Sequence, residues 1–410
     1  WVVPANTAQQ FTFGSFYVSM IRYHSGSSGN SQCLVARVNY FGGSSWGEQQ
    51  FHQIVSSIFQ DREMMDIDRT TARGGGAGST HDKRLYLCYD NWGNLGAGFV
   101  GSFCRAIDLT TFPGTNLGEF QLSGTLVPPF RGNQIQPVAD TGDGRVFFLA
   151  VALASSDTIT GDTIVAYFHK VIGGGTGQQT YFISSLIWPA AGQRLGGSTR
   201  WGLNGHRIDQ HGYLDIDRSS GARRGYLYFI SNRNPNPTNV TLDQGDIYLS
   251  VSTDTAINWS SAVIPAVAGK TQYFPMLDVD KQGWLHVAYY QNETGSTNGG
   301  VLNASSANLY YTFSTNAGSS WSTPVQVNES ANALDLPDPP ANLSPSYYLI
   351  GDYAQLQATG RDTSTKVYVL WTGYDKDRSD TLMGDMKVRV LCTTLKPLQC
   401  LAKAGDANGD

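Results

Sequence analysis

Three aspartates stand at one equivalent position in three matching segments. These are Met64-Met65-Asp66-Ile67-Asp68-Arg69, Tyr213-Leu214-Asp215-Ile216-Asp217-Arg218 and Met276-Leu277-Asp278-Val279-Asp280-Lys281. Each runs from an apolar stretch into a polar turn, as a strand end does. In extended chain, residues two apart share a face, so Asp66, Asp215 and Asp278 point with Asp68, Asp217 and Asp280. Carboxylates gathered this way could bind Ca²⁺, a cation that takes oxygen ligands. The competing use is structural, each carboxylate bonding backbone N–H groups or an arginine, and buried carboxylates more often serve that way. A second oxygen-rich run closes the chain. Asp406, Asn408 and Asp410 alternate in Gly405–Asp410, as in the opening of an EF-hand type Ca²⁺ loop, although the distal acidic ligand is missing. A plain polar tail is the alternative there.

Other chemistry is sparser. His206, Asp209 and His211 have spacing that converges on a metal only in a helix, and the stretch reads as loop into strand. Neither Gly74–Gly76 nor Gly173–Gly175 is followed by Gly-Lys-Ser/Thr, so neither cradles phosphate, and there is no Gly-x-Ser-x-Gly elbow. Five cysteines lack paired metal spacing. Cys88 and Cys104 fall in neighbouring strand-like runs, and Cys392 and Cys400 flank a turn containing Pro397. The expectation is two local disulfides, Cys88–Cys104 and Cys392–Cys400, with Cys33 left over; buried thiols are the alternative.

These residues need a scaffold, and composition limits which kind. Only 15% of the 410 residues are charged, against about 25% in an average soluble protein. The surface is therefore made largely of Ser, Thr, Asn, Gln and Gly, a weak sign of a secreted or cell-surface protein. With 46 Gly, 21 Tyr and 18 Phe, strands and turns are favoured over helices. A net charge of −5 argues against nucleic acid as the partner. No apolar run nears the roughly 18 residues of a membrane span. The chain starts at Trp1 without a leader-like segment, which reads as a processed or trimmed product. Six Asn-x-Ser/Thr sequons (Asn239, Asn258, Asn292, Asn303, Asn328, Asn342) offer glycosylation if the source performs it.

The aspartate segments belong to a repeat. Each is followed by a polar turn and an apolar strand: Arg84–Tyr89, Gly225–Ile230 and Trp284–Tyr290. Looser copies occupy residues 136–153 and 353–371. A second signature follows the third strand of a unit: Ser314-Thr315-Asn316-Ala317-Gly318-Ser319-Ser320-Trp321, Ser252-Thr253-Asp254-Thr255-Ala256-Ile257-Asn258-Trp259, and faintly Gly43–Trp46. Each unit reads strand, turn, strand, long loop, strand, turn, strand. That is a four-stranded antiparallel blade, and the count predicts an all-β, six-bladed β-propeller. The blades fall roughly at 10–60, 61–125, 131–190, 207–267, 273–330 and 348–396, with 397–410 a tail. Whether the N-terminal segment forms its own blade or completes the last one stays open. In such a blade the long 2–3 loops lie opposite the short turns. Those loops hold Asp90, Trp92, Arg233, Tyr290, Tyr374, Asp375 and Arg378, an aromatic, acidic and cationic set suited to sugar faces and hydroxyls.

The Ser-x-Asp-x-Gly-x-x-Trp pattern resembles the Asp-box, or bacterial neuraminidase repeat, of the sialidase-like superfamily. Ser314–Trp321 matches best, with Asn316 for Asp; Ser252–Trp259 keeps Asp254 and Trp259 but has Ala256 for Gly. The resemblance covers residues of about 11–396 as a repeat plan. It implies a six-bladed propeller in which Asp254, Trp259, Asn316, Gly318 and Trp321 are structural, the tryptophans covering their hairpins. A sialidase would further need three arginines, a Tyr nucleophile beside Glu, and an Asp acid/base. The motif that opens with the first arginine is replaced by Ile135-Gln136-Pro137 and Tyr273-Phe274-Pro275, and Phe130-Arg131-Gly132 lacks the following Ile-Pro. The resemblance therefore implies a secreted, glycan-directed protein without a complete sialidase centre: a non-catalytic binder or, if an enzyme, a glycoside hydrolase. Residues 405–410 resemble the opening of a dockerin repeat. The rival reading is a surface-layer or matrix protein that assembles with copies of itself.

Overall fold

The computed structural model describes residues 2–5, 15–23, 31–40, 46–53, 60–67, 84–91, 101–109, 115–121, 135–138, 145–154, 163–172, 180–183, 194–195, 212–234, 246–254, 258–265, 267, 270–293, 296–298, 301–303, 307–328, 354–359, 365–373, 385–393 and 401–402. All regular structure among them is β, and every pairing is antiparallel.

The chain divides into two compact units. The first, residues 1–154 with 164–187, contains three four-stranded meanders. They are β1–β4 (Val2–Ala5, Ser15–Tyr23, Ser31–Tyr40, Trp46–Gln53), β5–β8 (Gln60–Ile67, Arg84–Asn91, Gly101–Asp108, Thr115–Gln121) and β9–β12 (Ile135–Val138, Arg145–Ala154, Thr163–Ile172, Thr180–Ile183). The N-terminal segment thus builds its own sheet.

The second unit, residues 155–163 with 188–410, contains three more sheets. One joins β14 (Gly212–Ile216), β15 (Leu227–Asn234), β16 (Asp246–Ser252) and β17 (Ser260–Val263), with the two-residue β13 (Arg194–Leu195) also on β15. The next is β18 (Gln272–Val279), β19 (Leu285–Asn292), β22 (Ala307–Ser314) and β23 (Val325–Gln326), its 2–3 connection carrying the ribbon β20 (Ser296–Asn298) and β21 (Val301–Asn303). The last is β24 (Gln355–Thr359), β25 (Thr365–Gly373), β26 (Asp385–Thr393) and β27 (Leu401–Ala402). β27 lies in the segment read from sequence as a tail and supplies the fourth strand of this sheet.

Among the described residues, the second strands β6, β15 and β19 form the core because they are buried on both faces. β19 is buried at all eight positions, and β6 at seven of eight. This is why they read as near-continuous runs of Leu, Val, Ala and Tyr rather than as an alternation. Polar residues inside these strands need partners. In β19, His286 is fully buried; its Nδ1 meets the Tyr311 hydroxyl at 2.7 Å and its Nε2 meets Asp280 Oδ2 at 3.2 Å.

The repeated aspartates stitch the second unit together. Asp215 Oδ1 accepts from Ile216 N (2.8 Å) and from the Arg218 guanidinium, and its Oδ2 accepts from Val279 N of the next sheet (2.7 Å). Asp278 repeats the outward link, its Oδ2 accepting from Ala358 N at 2.5 Å. In the first unit, Asp66 Oδ1 accepts from Ile67 N at 2.9 Å, the same local bond. In the second unit the second aspartate of each pair shapes the turn: Asp217 Oδ1 accepts from Ser219 N, and Asp280 Oδ1 from Gln282 N and Trp284 N. Gly283, at φ +76°, closes the β18–β19 turn, and a side chain there would lie 2.3 Å from Asp217 Oδ2. Only glycine meets both demands.

Candidate functional site

The two ends of the β18–β19–β22–β23 sheet have different chemistry. One end is closed by turns that use up their own polar groups. After β22, Ser314 Oγ donates to Asn316 Oδ1 (3.0 Å) and accepts from Gly318 N (2.9 Å), while Asn316 Oδ1 also accepts from Ser320 N (2.9 Å). The preceding sheet has a matching turn after β16, where Ser252 Oγ donates to Asp254 Oδ1 (2.9 Å) and Asn258 N donates to the same oxygen (2.8 Å). A side-chain oxygen two residues past the serine thus organises each turn, the ordinary use of Asn and Asp in turns. Gly318 takes φ +85°, which favours glycine, and lies against Leu249. Trp321 and Trp259 are half-buried rather than sealed beneath their hairpins. The polar network, more than ring burial, holds these turns.

The opposite end carries an amide row that crosses the whole sheet. Strand register puts Gln272 of β18 opposite Gln291 of β19, and Gln291 opposite Asn308 of β22. Gln272 Nε2 donates to Gln291 Oε1 (3.1 Å), and Asn328 Nδ2 donates to Asn308 Oδ1 (2.8 Å). Glu293, just beyond β19, gathers the middle of the row. Its Oε1 accepts from Tyr310 OH (2.6 Å), Asn308 Nδ2 (3.3 Å) and Gln291 Nε2 (3.3 Å), while Oε2 pairs with Lys270. Gln272, Gln291 and Asn328 are buried; Lys270, Glu293, Asn308 and Tyr310 are partly exposed. The row thus reaches solvent at its centre.

The electrostatics follow from these contacts. Burial alone would raise the Glu293 carboxyl, but bonds from Lys270, Tyr310 and Asn308 outweigh it and hold the group below its ordinary range. The Tyr310 phenol moves the other way. Burial, reinforced by the Glu293 carboxylate, pushes it up to about 12. Glu293 therefore stays ionised, and Tyr310 stays a protonated donor to it.

Beside the row the backbone is strained. β18 carries a bulge between Tyr273 and Met276, with Phe274 at φ +47°, a genuine outlier for a bulky side chain. Tyr273 stacks on Tyr290 at 5.5 Å, and Phe274 meets both rings edge-on. The same pattern starts β5: a bulge between Asp61 and Met64, and Gln60 opposite Asn91 where β18 has Gln272 opposite Gln291.

The residues expected in the 2–3 loops are distributed differently. Asp90 and Tyr290 are not loop residues; β6 and β19 run on to Asn91 and Asn292, which buries both. Arg233 lies in β15, opposite Asp246. Trp92, Tyr374, Asp375 and Arg378 lie outside the described residues, as do Asp406, Asn408, Asp410 and Cys400. Cys392 lies in β26 opposite Lys366. Cys88 and Cys104 are directly opposed in β6 and β7, and in this structure both are free, buried thiols rather than the expected disulfide. The oxygens of Asp215 and one oxygen of Asp278 are taken by backbone N–H groups and Arg218. Among the described residues, no three His, Cys, Asp or Glu side chains gather where they could hold a metal ion.

No family model and no curated protein matches this chain. Among solved structures it is similar to a protein of unknown function from Dyadobacter fermentans, at 9% identity and a TM-score of 0.43, over 82% of this chain and 79% of that one. It is similar to a Penicillium chrysogenum α-L-arabinanase complexed with arabinobiose at 12% identity and a TM-score of 0.37, over 64% and 63% of the two chains. For the NanB sialidase from Streptococcus pneumoniae the values are 11% and 0.42, over 92% and 65%. The chain thus spans less than two thirds of the length of either glycosidase. These likenesses are too distant to assign an activity.

Proposed function

We propose that the chain is a secreted or cell-surface, six-bladed sialidase-like propeller that binds a glycan at the amide-lined end of its sheets. The amide row from Gln272 to Asn328, opening to solvent at Asn308, Glu293 and Tyr310, carries this reading. Sugar hydroxyls both donate and accept, and fixed amides and a phenol complement them; the partly exposed Tyr310 ring suits an apolar sugar face. The sequence-based expectation put recognition on this same end, opposite the Ser/Asn turns, although on other side chains. Binding is favoured over cleavage, because a phenol held protonated at Tyr310 is no nucleophile and Glu293 is tied down by Lys270. A glycan array, run with and without Ca²⁺, tests the proposal. Binding to a defined oligosaccharide set that falls in Tyr310→Phe, with the melting point kept, supports it. A blank array for the intact chain ends it.

A further inference from the structure

We infer that Cys88 and Cys104 are a covalent cross-link site: they join as a cross-strand disulfide while the chain folds, and the folded sheet then seals whichever state it has trapped. The two residues are directly opposed in the β6–β7 register. Opposed residues in antiparallel strands have Cα atoms about 4.5–5.5 Å apart, inside the span a disulfide bridges. The Cys104 thiol is also placed near its own backbone, its Sγ donating to Arg105 O at 3.9 Å.

Access is the controlling feature. Both cysteines are fully buried, Cys88 between the buried Leu87 and Tyr89 and Cys104 between the half-buried Phe103 and Arg105. Burial, then the neighbouring Cys104, pushes the Cys88 thiol well above its ordinary range. Exchange needs a thiolate that a reagent can reach, and with both sulfur-bearing residues sealed from solvent the native pair is silent towards external reagents. Exchange belongs to the stage before β6 and β7 are packed. There one cysteine thiolate attacks a small-molecule disulfide such as glutathione disulfide, forming a mixed disulfide and releasing one glutathione thiolate. The second cysteine thiolate then attacks the protein-side sulfur, forming the Cys88–Cys104 bond and releasing the second glutathione. Two cysteine thiols are oxidised, one glutathione disulfide is reduced, and the two thiol protons end on the two glutathiones.

The test uses the full chain, since trypsin cleavage after Arg84 and Arg105 leaves both cysteines on one peptide, residues 85–105. Protein denatured and refolded with a glutathione redox pair should give this peptide lighter by two hydrogens before reduction. Protein folded under reducing conditions and then given glutathione disulfide without denaturant should keep both thiols on it, alkylated only after unfolding. Two alkylatable thiols on 85–105 after oxidative refolding would overturn the cross-link. So would either cysteine joined to a peptide holding Cys33, Cys392 or Cys400. Native protein oxidised as fast as unfolded protein would overturn the sealing.

Discussion

Replacing Asp215 by Ala gives the sharpest separation between a stitching carboxylate and a metal ligand. In the folded chain this side chain accepts from two backbone N–H groups, Ile216 and Val279, and from the guanidinium of Arg218. Arg218 is itself buried, with 8% of its surface exposed. A neutral hydrogen bond contributes about 1 kcal/mol net and one between charged groups about 1.5–3, so the direct loss is about 3.5–5 kcal/mol. That range matches the cost of removing one partner from a buried ion pair, about 3–5 kcal/mol. Asp215→Asn keeps an acceptor for one or both N–H groups and should lose about half as much. The assay is urea unfolding of the wild type and both variants, with and without millimolar Ca²⁺. The midpoint should drop strongly for Ala, less for Asn, and the Ca²⁺ shift, if any, should be the same in all three. A Ca²⁺-dependent stabilisation present in the wild type and abolished in both variants would show that the carboxylate holds metal. An Ala variant as stable as the wild type would show that the bond to Val279 is not made in solution.

Three further outcomes follow from the same geometry. Burial, then the adjacent Asp215 carboxylate, holds Asp278 well above the usual carboxylate range. Its stabilising contribution is therefore complete below the unfolded carboxylate value, near pH 4, and is lost as pH rises through the folded value. Asp278→Asn should gain stability relative to the wild type between pH 4 and 8 in denaturant titrations, and the opposite slope would contradict the assignment. Gly318→Ala places a Cβ at φ +85° and 2.3 Å from Leu249 Cδ2, so it should cost about 2–3 kcal/mol in the same unfolding assay. Asn316→Ala frees the Ser320 N–H at an exposed turn and should cost only about 1 kcal/mol, without altering any ligand affinity.

The scaffold was far more legible than the site. Fully buried second strands advertise themselves as apolar runs such as Leu85–Tyr89 and Leu285–Tyr290, and turns need glycine, serine and aspartate at fixed places. Strand pairs and turns therefore stand out as a repeat in the sequence itself. The stitching role of Asp215 was also within reach, since its neighbour Arg218 lies one turn away in sequence. The amide row was not. Gln272, Gln291, Asn308 and Asn328 belong to four different stretches of the β18–β23 sheet region, and only antiparallel register lines them up. No local spacing encodes that. One signal was available: glutamine six residues before the aligned aspartate, at Gln60 and Gln272, in two of the repeats. Asp90 and Tyr290 read as loop residues in the sequence because a polar or aromatic residue followed by Asn or Gln has the look of a strand end. The strands continue because Asn91 and Asn292 find cross-strand neighbours in Gly101 and Ala307.

The central claim is that ligand recognition belongs to the amide-lined end of the β18–β19–β22–β23 sheet and not to its turn end. Titrating the best array ligand into matched variants at the two ends measures this most directly. Tyr310→Phe removes one hydroxyl from the Glu293 cluster, and Asn316→Ala removes one amide from the turn; both residues keep some exposure and neither is in the core. Affinity should fall by about tenfold in Tyr310→Phe, the equivalent of one hydrogen bond at about 1.4 kcal/mol, and stay unchanged in Asn316→Ala. Unchanged affinity in Tyr310→Phe with a loss in Asn316→Ala would put recognition at the other end of the sheet and contradict the account.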